Sequence, residues 1–129
     1  MHWRIVVITS LLATAALTGV PGLAGQAHAA ACPRLLEDFR RSADNATRDV
    51  SRASEDRQRA IQRSVNPDRQ TQLMAQFCAA TAEASGVLKS YRIVMQACIP
   101  EKEPGRNDGL DTLNHSISQI RASLDRDCR

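Results

Sequence analysis

Between Cys32 and Cys98 the chain holds one glycine, Gly86, and two prolines, Pro33 and Pro67, both placed where a helix can start. A run this long, with its one strong break at Asn66-Pro67, is incompatible with a sheet. It predicts two long helices folded back on each other, with a cysteine on each arm at the open end.

The first arm reads as a helix over about 33–65. Leu36, Phe39, Ala43, Ala46, Val50, Ala53, Ala60 and Ser64 recur in steps of three and four, a coiled-coil seam that Arg57 interrupts. Arg41, Arg48, Arg52, Arg59 and Arg63 fall on the opposite side, in water. Acids one turn earlier are set to neutralise them: Glu37 before Arg41, Asp44 before Arg48 and Glu55 before Arg59. Eight arginines against six acids over residues 33–65, with few aromatics, describe a solvated, ion-paired face. A surface that tracks phosphates would be less acidic, so nucleic acid is not an expected partner.

Asn66-Pro67-Asp68 restarts the helix with a capping side chain, a proline at the first helical position and an acid at the positive end of the dipole. The second helix is expected over about 67–99. Leu73, Phe77, Ala80, Ala84, Val87, Tyr91, Val94 and Cys98 form one row, with Met74, Thr81, Leu88 and Met95 beside it. So wide an apolar face needs two partners, which makes this the central helix. Gly86 interrupts it and marks a candidate close approach or kink. A polar connection follows, and Asp108-Gly109-Leu110-Asp111 reads as the cap of a third helix over about 108–128, with Leu110, Leu113, Ile117, Ile120 and Leu124 on its seam. The fold class is all-α: a long antiparallel helical hairpin with a third, shorter helix, a three-helix bundle.

Met1 to Arg4 carry one fixed positive charge, an apolar run follows from Ile5 to Leu17, and Ala27-His28-Ala29 ends the segment. This is the pattern of a secretory signal peptide over residues 1–29, cut after Ala29 or, as the next choice, Ala31. Residues 30–129 are then a single disulfide-stapled domain, periplasmic or secreted. Two other readings would bring in a membrane. Ile5 to Ala31 has no fixed charge and is long enough for an uncleaved anchor, although Gly, Pro, Gln and His in its second half weigh against it. Ala29-Ala30-Ala31-Cys32 loosely resembles a lipobox, with Ala where Leu is usual, but a lipid on Cys32 would orphan one of the other three cysteines. Taking Arg4 from the seventeen basic residues leaves sixteen against fourteen acidic ones, a balance that demands no polyanionic partner. The only tryptophan, Trp3, leaves with the leader, so the core must be aliphatic and alanine-rich.

Four cysteines allow three pairings, and helix lengths choose among them. Folding the hairpin about Asn66-Pro67 brings Cys32 and Cys98 to the same end. Cys78 lies twenty residues before Cys98, and Cys128 twenty after Asp108, so both sit about 30 Å down the bundle at 1.5 Å per residue. The alternative pairings would span about 30 Å, against a Cα limit of about 7 Å. The expected disulfides are Cys32–Cys98 and Cys78–Cys128.

The same count leaves residues about 54 to 77 as a two-helix tip with no third helix beside it, projecting roughly 16 Å. Arg57, Ile61, Val65, Leu73, Met74 and Phe77 are the candidate partner-binding surface there, unless the pair covers itself or a second copy makes a homodimer through the tip. No catalytic constellation and no metal set is expected. His115 is the one histidine after the leader, Met74 and Met95 lie on packing faces, Tyr91 falls opposite Phe39, and Glu83, Asp125 and Asp127 are isolated carboxylates. Asn45-Ala46-Thr47 matches a glycosylation sequon by chance, since it sits on a helical seam. The expected function is that of an exported, non-catalytic module (adaptor, inhibitor or chaperone-like) without a cofactor, acting on another protein. The alternative is a periplasmic carrier of a small apolar ligand such as haem or lipid.

Overall fold

Alanine and straight-chain residues favour helix along most of the sequence. The computed structural model describes the backbone of residues 21–129 and the side chains of residues 31–129. It contains α1 (Pro21–Gln62), α2 (Pro67–Cys98) and α3 (Arg106–Asp127), with no strand among the described residues. α1 and α3 each pack on α2, and their backbones do not approach one another, so α2 is the central helix.

α1 begins at Pro21 rather than at 33. Residues 24–31 are mostly alanine, and Pro33 is accommodated inside the helix at the loss of one backbone hydrogen bond. The expected cleavage point after Ala29 therefore falls within helical backbone. Residues 1–20, which hold the charged start and the whole apolar run of the proposed leader, lie outside the described residues.

α1 also stops earlier than expected, at Gln62. Ser64 takes a left-handed conformation, φ 50°; its amide donates to the Ile61 carbonyl at 3.1 Å, and the Val65 amide to the Ala60 carbonyl at 3.1 Å. These are the paired bonds of a Schellman stop, here built on serine where glycine is usual. The chain re-enters helix at once. The Asn66 side chain accepts from the Arg69 amide at 2.8 Å, Pro67 occupies the first turn and Asp68 lies beside it, as the sequence predicts.

α2 ends at Cys98 because Ile99, which precedes Pro100, is forced into extended geometry. Pro104-Gly105 then forms a tight turn, closed by the Arg106 amide donating to the Glu103 carbonyl at 3.2 Å, with Gly105 at φ 82°. Helix α3 starts directly after it, two residues before the predicted Asp108, which is a first-turn acid and not the cap. Arg106 also closes the end of α2: its Nε donates to the Ile99 carbonyl at 2.9 Å and its Nη2 to that of Gln96 at 3.4 Å. A cation on the last carbonyls of a helix satisfies orphan acceptors and opposes the dipole.

The main core lies toward the open end. Ala43, Leu88, Met95, Leu110, Leu113 and Ile117 form one buried cluster, with Leu36, Val87, Tyr91, Ile99 and Ile120 packed against it. Ala84 and Thr81 are fully buried, and the Thr81 hydroxyl is satisfied by donating to the Phe77 carbonyl at 2.6 Å. Burial raises the Tyr91 pKa, opposed by the nearby Arg40. Gly86 is not a close approach: a Cβ built there meets nothing within 4 Å, and α2 runs through it unbroken. The tight glycine is Gly109, whose added Cβ would stand 2.9 Å from Met95 Cε.

Both disulfides are those expected. Cys32–Cys98 ties α1 to the end of α2 across 5.4 Å between Cα atoms, and Cys78–Cys128 ties α2 to the end of α3 across 5.7 Å. Two such cross-links suit an oxidising, extracellular compartment. No helix among the described residues is long and apolar enough to cross a membrane.

Candidate functional site

The register of α2 defines what is covered and what is not. Two heptad rows of α2 meet α3. In the first, Met95 and Leu88 join the core cluster with Leu110, Leu113 and Ile117. In the second, Arg92 donates to Asn114 at 3.0 Å and Cys78 is joined to Cys128. Continued toward the turn at intervals of seven, the rows read Met95, Leu88, Thr81, Met74 and Arg92, Ser85, Cys78, Thr71. Helix α3 ends at Asp127, level with Cys78, so Met74 and Thr71 are the first members of both rows that it leaves uncovered.

The six candidate tip residues separate into three groups. Leu73 and Phe77 are buried, each 5 % exposed, and with buried Ala60 they form the inside of the tip. Val65 and Leu73 line a concavity of about 380 Å³ flanked by Arg59, Arg63 and Arg69. Arg57, Ile61 and Met74 line another of about 220 Å³ with Gln70 and Thr71, on the face that α3 covers higher up. Ile61 is 60 % exposed, and Met74 is half-buried.

Arg57, the interruption of the α1 seam, lies with its guanidinium 4.6 Å from the centre of the Phe77 ring. Such cation–π contacts stabilise by about 0.5–1 kcal/mol at exposed sites, and here the arginine also shields the ring from water. Arg57 further borders the groove of about 610 Å³ between α1 and α3, whose floor includes Phe77 and Thr81. Across that groove, Asp127 is held below the usual carboxylate range, chiefly by its hydrogen bond from Arg126 and in smaller part by the charge of Arg57. Arg57 is thus the joint between the three-helix body and the two-helix tip.

The arginine stripe on the outer face of α1 is solvent-exposed, as the sequence predicts; of the expected pairs Glu37–Arg41 and Glu55–Arg59 form and Asp44–Arg48 does not. Glu37 engages Arg40 in a fork of 2.9 and 3.1 Å and meets Arg41 at 3.5 Å, and the Arg40 hydrogen bond holds its carboxyl below the usual range. Asp44 also turns to Arg40, at 3.2 Å, while Arg48 donates to Asn45 at 2.6 Å. Arg59 meets Asp56 at 3.0 Å and Glu55 at 3.7 Å. His115 is exposed and bonds to Gln119. Among the described residues, no group of three or more His, Cys, Asp or Glu is arranged to hold a metal ion.

No protein-family model, no curated protein and no solved structure matches this chain.

Proposed function

We propose that this is an exported, non-catalytic protein-binding module that presents its two-helix tip to a partner, in the manner of an adaptor, an inhibitor or a chaperone-like hairpin. The observation that carries this reading is the uncovered face below Cys128, where exposed Ile61 stands beside Met74 and Arg57. An apolar side chain at such exposure, next to a flexible methionine and an arginine stacked on a ring, has the composition of a contact centre. The concavities of the described surface are open to solvent and edged by polar side chains, which favours surface recognition over enclosure of haem or lipid. The leader-like amino terminus and the two disulfides support export to the periplasm or beyond. The Cys32–Cys98 disulfide favours an unlipidated chain over one anchored through Cys32.

The test is site-specific photo-crosslinking in the producing cells. A photoreactive residue at Ile61 is expected to give a discrete protein adduct. The same group at Ile93, equally exposed at 61 % on α2 well away from the tip, is expected to give none. Equal labelling from both positions, or no adduct from Ile61, would overturn the reading.

A further inference from the structure

We infer that the tip binds its partner as a helix, one that takes up the path of α3 where α3 stops; this rests on the protein-binding reading above. The rows that receive α3, Met95-Leu88-Thr81-Met74 and Arg92-Ser85-Cys78-Thr71, continue past Cys128 without a change of register. Met74 and Thr71 are therefore built to meet a helix lying against α2 as α3 does, and both line the concavity that Ile61 and Arg57 close from the α1 side. A docking helix would lie on α2 as α3 does higher up, with Arg57 and Ile61 of α1 closing the concavity from the side. From Cys78 to Pro67 the seat is eleven residues long, about 16 Å, so it takes about three helical turns.

The chemistry of the seat specifies the occupant further. Its apolar contacts are Ile61 and Met74, and the surrounding Ser54, Gln58, Gln62, Gln70 and Thr71 are neutral. Arg57 is the one charged residue lining its two concavities, so the occupant is an amphipathic helix with apolar residues at helical spacing and a single carboxylate placed for Arg57. A second copy of the chain fits less well. Its own seat would bring Arg57 and no carboxylate to meet Arg57.

The probe is a stapled three-turn peptide with leucines at i, i+4 and i+7 and one glutamate on the adjoining position. It is titrated into the isotopically labelled, oxidised chain, alongside a scrambled peptide of the same composition. The expected result is amide shifts confined to the neighbourhood of Arg57, Ile61, Thr71 and Met74, with the patterned peptide only. Ile61→Asp, at an exposed position that leaves the fold intact, is expected to weaken binding at least tenfold. Arg57→Gln is expected to weaken the glutamate peptide but not its glutamine counterpart. A tip that stays silent at millimolar peptide, an equal response to the scrambled peptide, shifts centred on Ile93 or Leu35, or a concentration-dependent dimer abolished by Ile61→Asp would each overturn the inference. A silent tip together with an Ile61 cross-link in cells would remove the helical mode and leave protein binding standing, whereas loss of the cross-link as well removes both.

Discussion

The two ends of the hairpin are held together by different means. At the open end α1 and α2 are crossed by Cys32–Cys98 and thickened by α3, which brings Leu110, Leu113 and Ile117 onto Leu88 and Met95. At the turn end the same two helices have only each other. Leu73, Phe77 and Ala60 are buried between them, Arg57 covers the Phe77 ring, and the Schellman stop at Ser64 followed directly by the Asn66 cap fixes the reversal. Exposed apolar side chains occur at both ends, Ile61 at the tip and Ile93 on α2 in the body. What sets the tip apart is that Ile61 shares a concavity with Met74 and Arg57 where α3 has ended.

The largest expected effect comes from removing the staple that separates the two regions. Cys78→Ser with Cys128→Ser opens a loop of 50 residues and is expected to lower stability by about 4 kcal/mol in the chain-entropy account. In chemical denaturation this appears as an earlier midpoint, and amide exchange should rise in α3 far more than at the tip. Comparable acceleration at both ends would erase the distinction drawn between them.

Side-chain truncation sharpens the contrast next. Leu88→Ala, in the three-helix core, is expected to cost roughly 2–5 kcal/mol. Ile61→Ala, at the tip, should stay within about 0.5 kcal/mol while reducing cross-linking to the partner. Thermal unfolding of the two variants side by side separates a packing residue from a contact residue.

Much of this architecture was readable from the residues, and the reasons are physical. Helical rise is fixed, so counting from Cys78 and Cys128 sets their level and hence their pairing. Proline and asparagine act locally, so the restart at Asn66-Pro67 needs no tertiary information. Features that depend on what lies opposite were not readable. Ser64 looks like any seam residue until its backbone turns left-handed, and Arg106 looks like a loop cation until α2's last carbonyls stand in front of it. Gly86 and Gly109 exchange roles for the same reason, because only the neighbour across a helix interface tells an idle glycine from a crowded one. Of the expected arginine pairs the one that does not form is Asp44–Arg48, because Arg40 competes for Asp44 at about 0.2–0.5 kcal/mol per pair and Arg48 turns to Asn45. Of the candidate site, periodicity marked the tip but gave Leu73 and Phe77 the same weight as Met74 and passed over Thr71, whose heptad relation to Cys78 was the available signal.

Two backbone substitutions probe the ends at the scale of about 1 kcal/mol. Ser64→Gly relieves the left-handed turn and is expected to stabilise the tip by about 1 kcal/mol, seen as slower amide exchange around residues 60–70. Gly86→Ala, in open space on α2, should raise the unfolding midpoint by a similar amount without altering binding, since nothing packs there.

The smallest effect is electrostatic. Glu37 has a folded pKa below its unfolded value, so its pairing with Arg40 stabilises the chain above the unfolded pKa and is lost as pH falls through the folded one. Glu37→Gln should therefore differ from the parent near neutral pH and converge with it in acid. Because the pair is fully exposed, added salt should shrink the difference in the same way.

The uncovered tip follows from the level at which α3 ends, and mapping the disulfides tests that level most directly. Digestion without reduction, followed by mass spectrometry, is predicted to yield one peptide pair joining Cys32 to Cys98 and another joining Cys78 to Cys128. Peptides joining Cys32 to Cys78 or to Cys128 would contradict the helix register, and with it the uncovered tip.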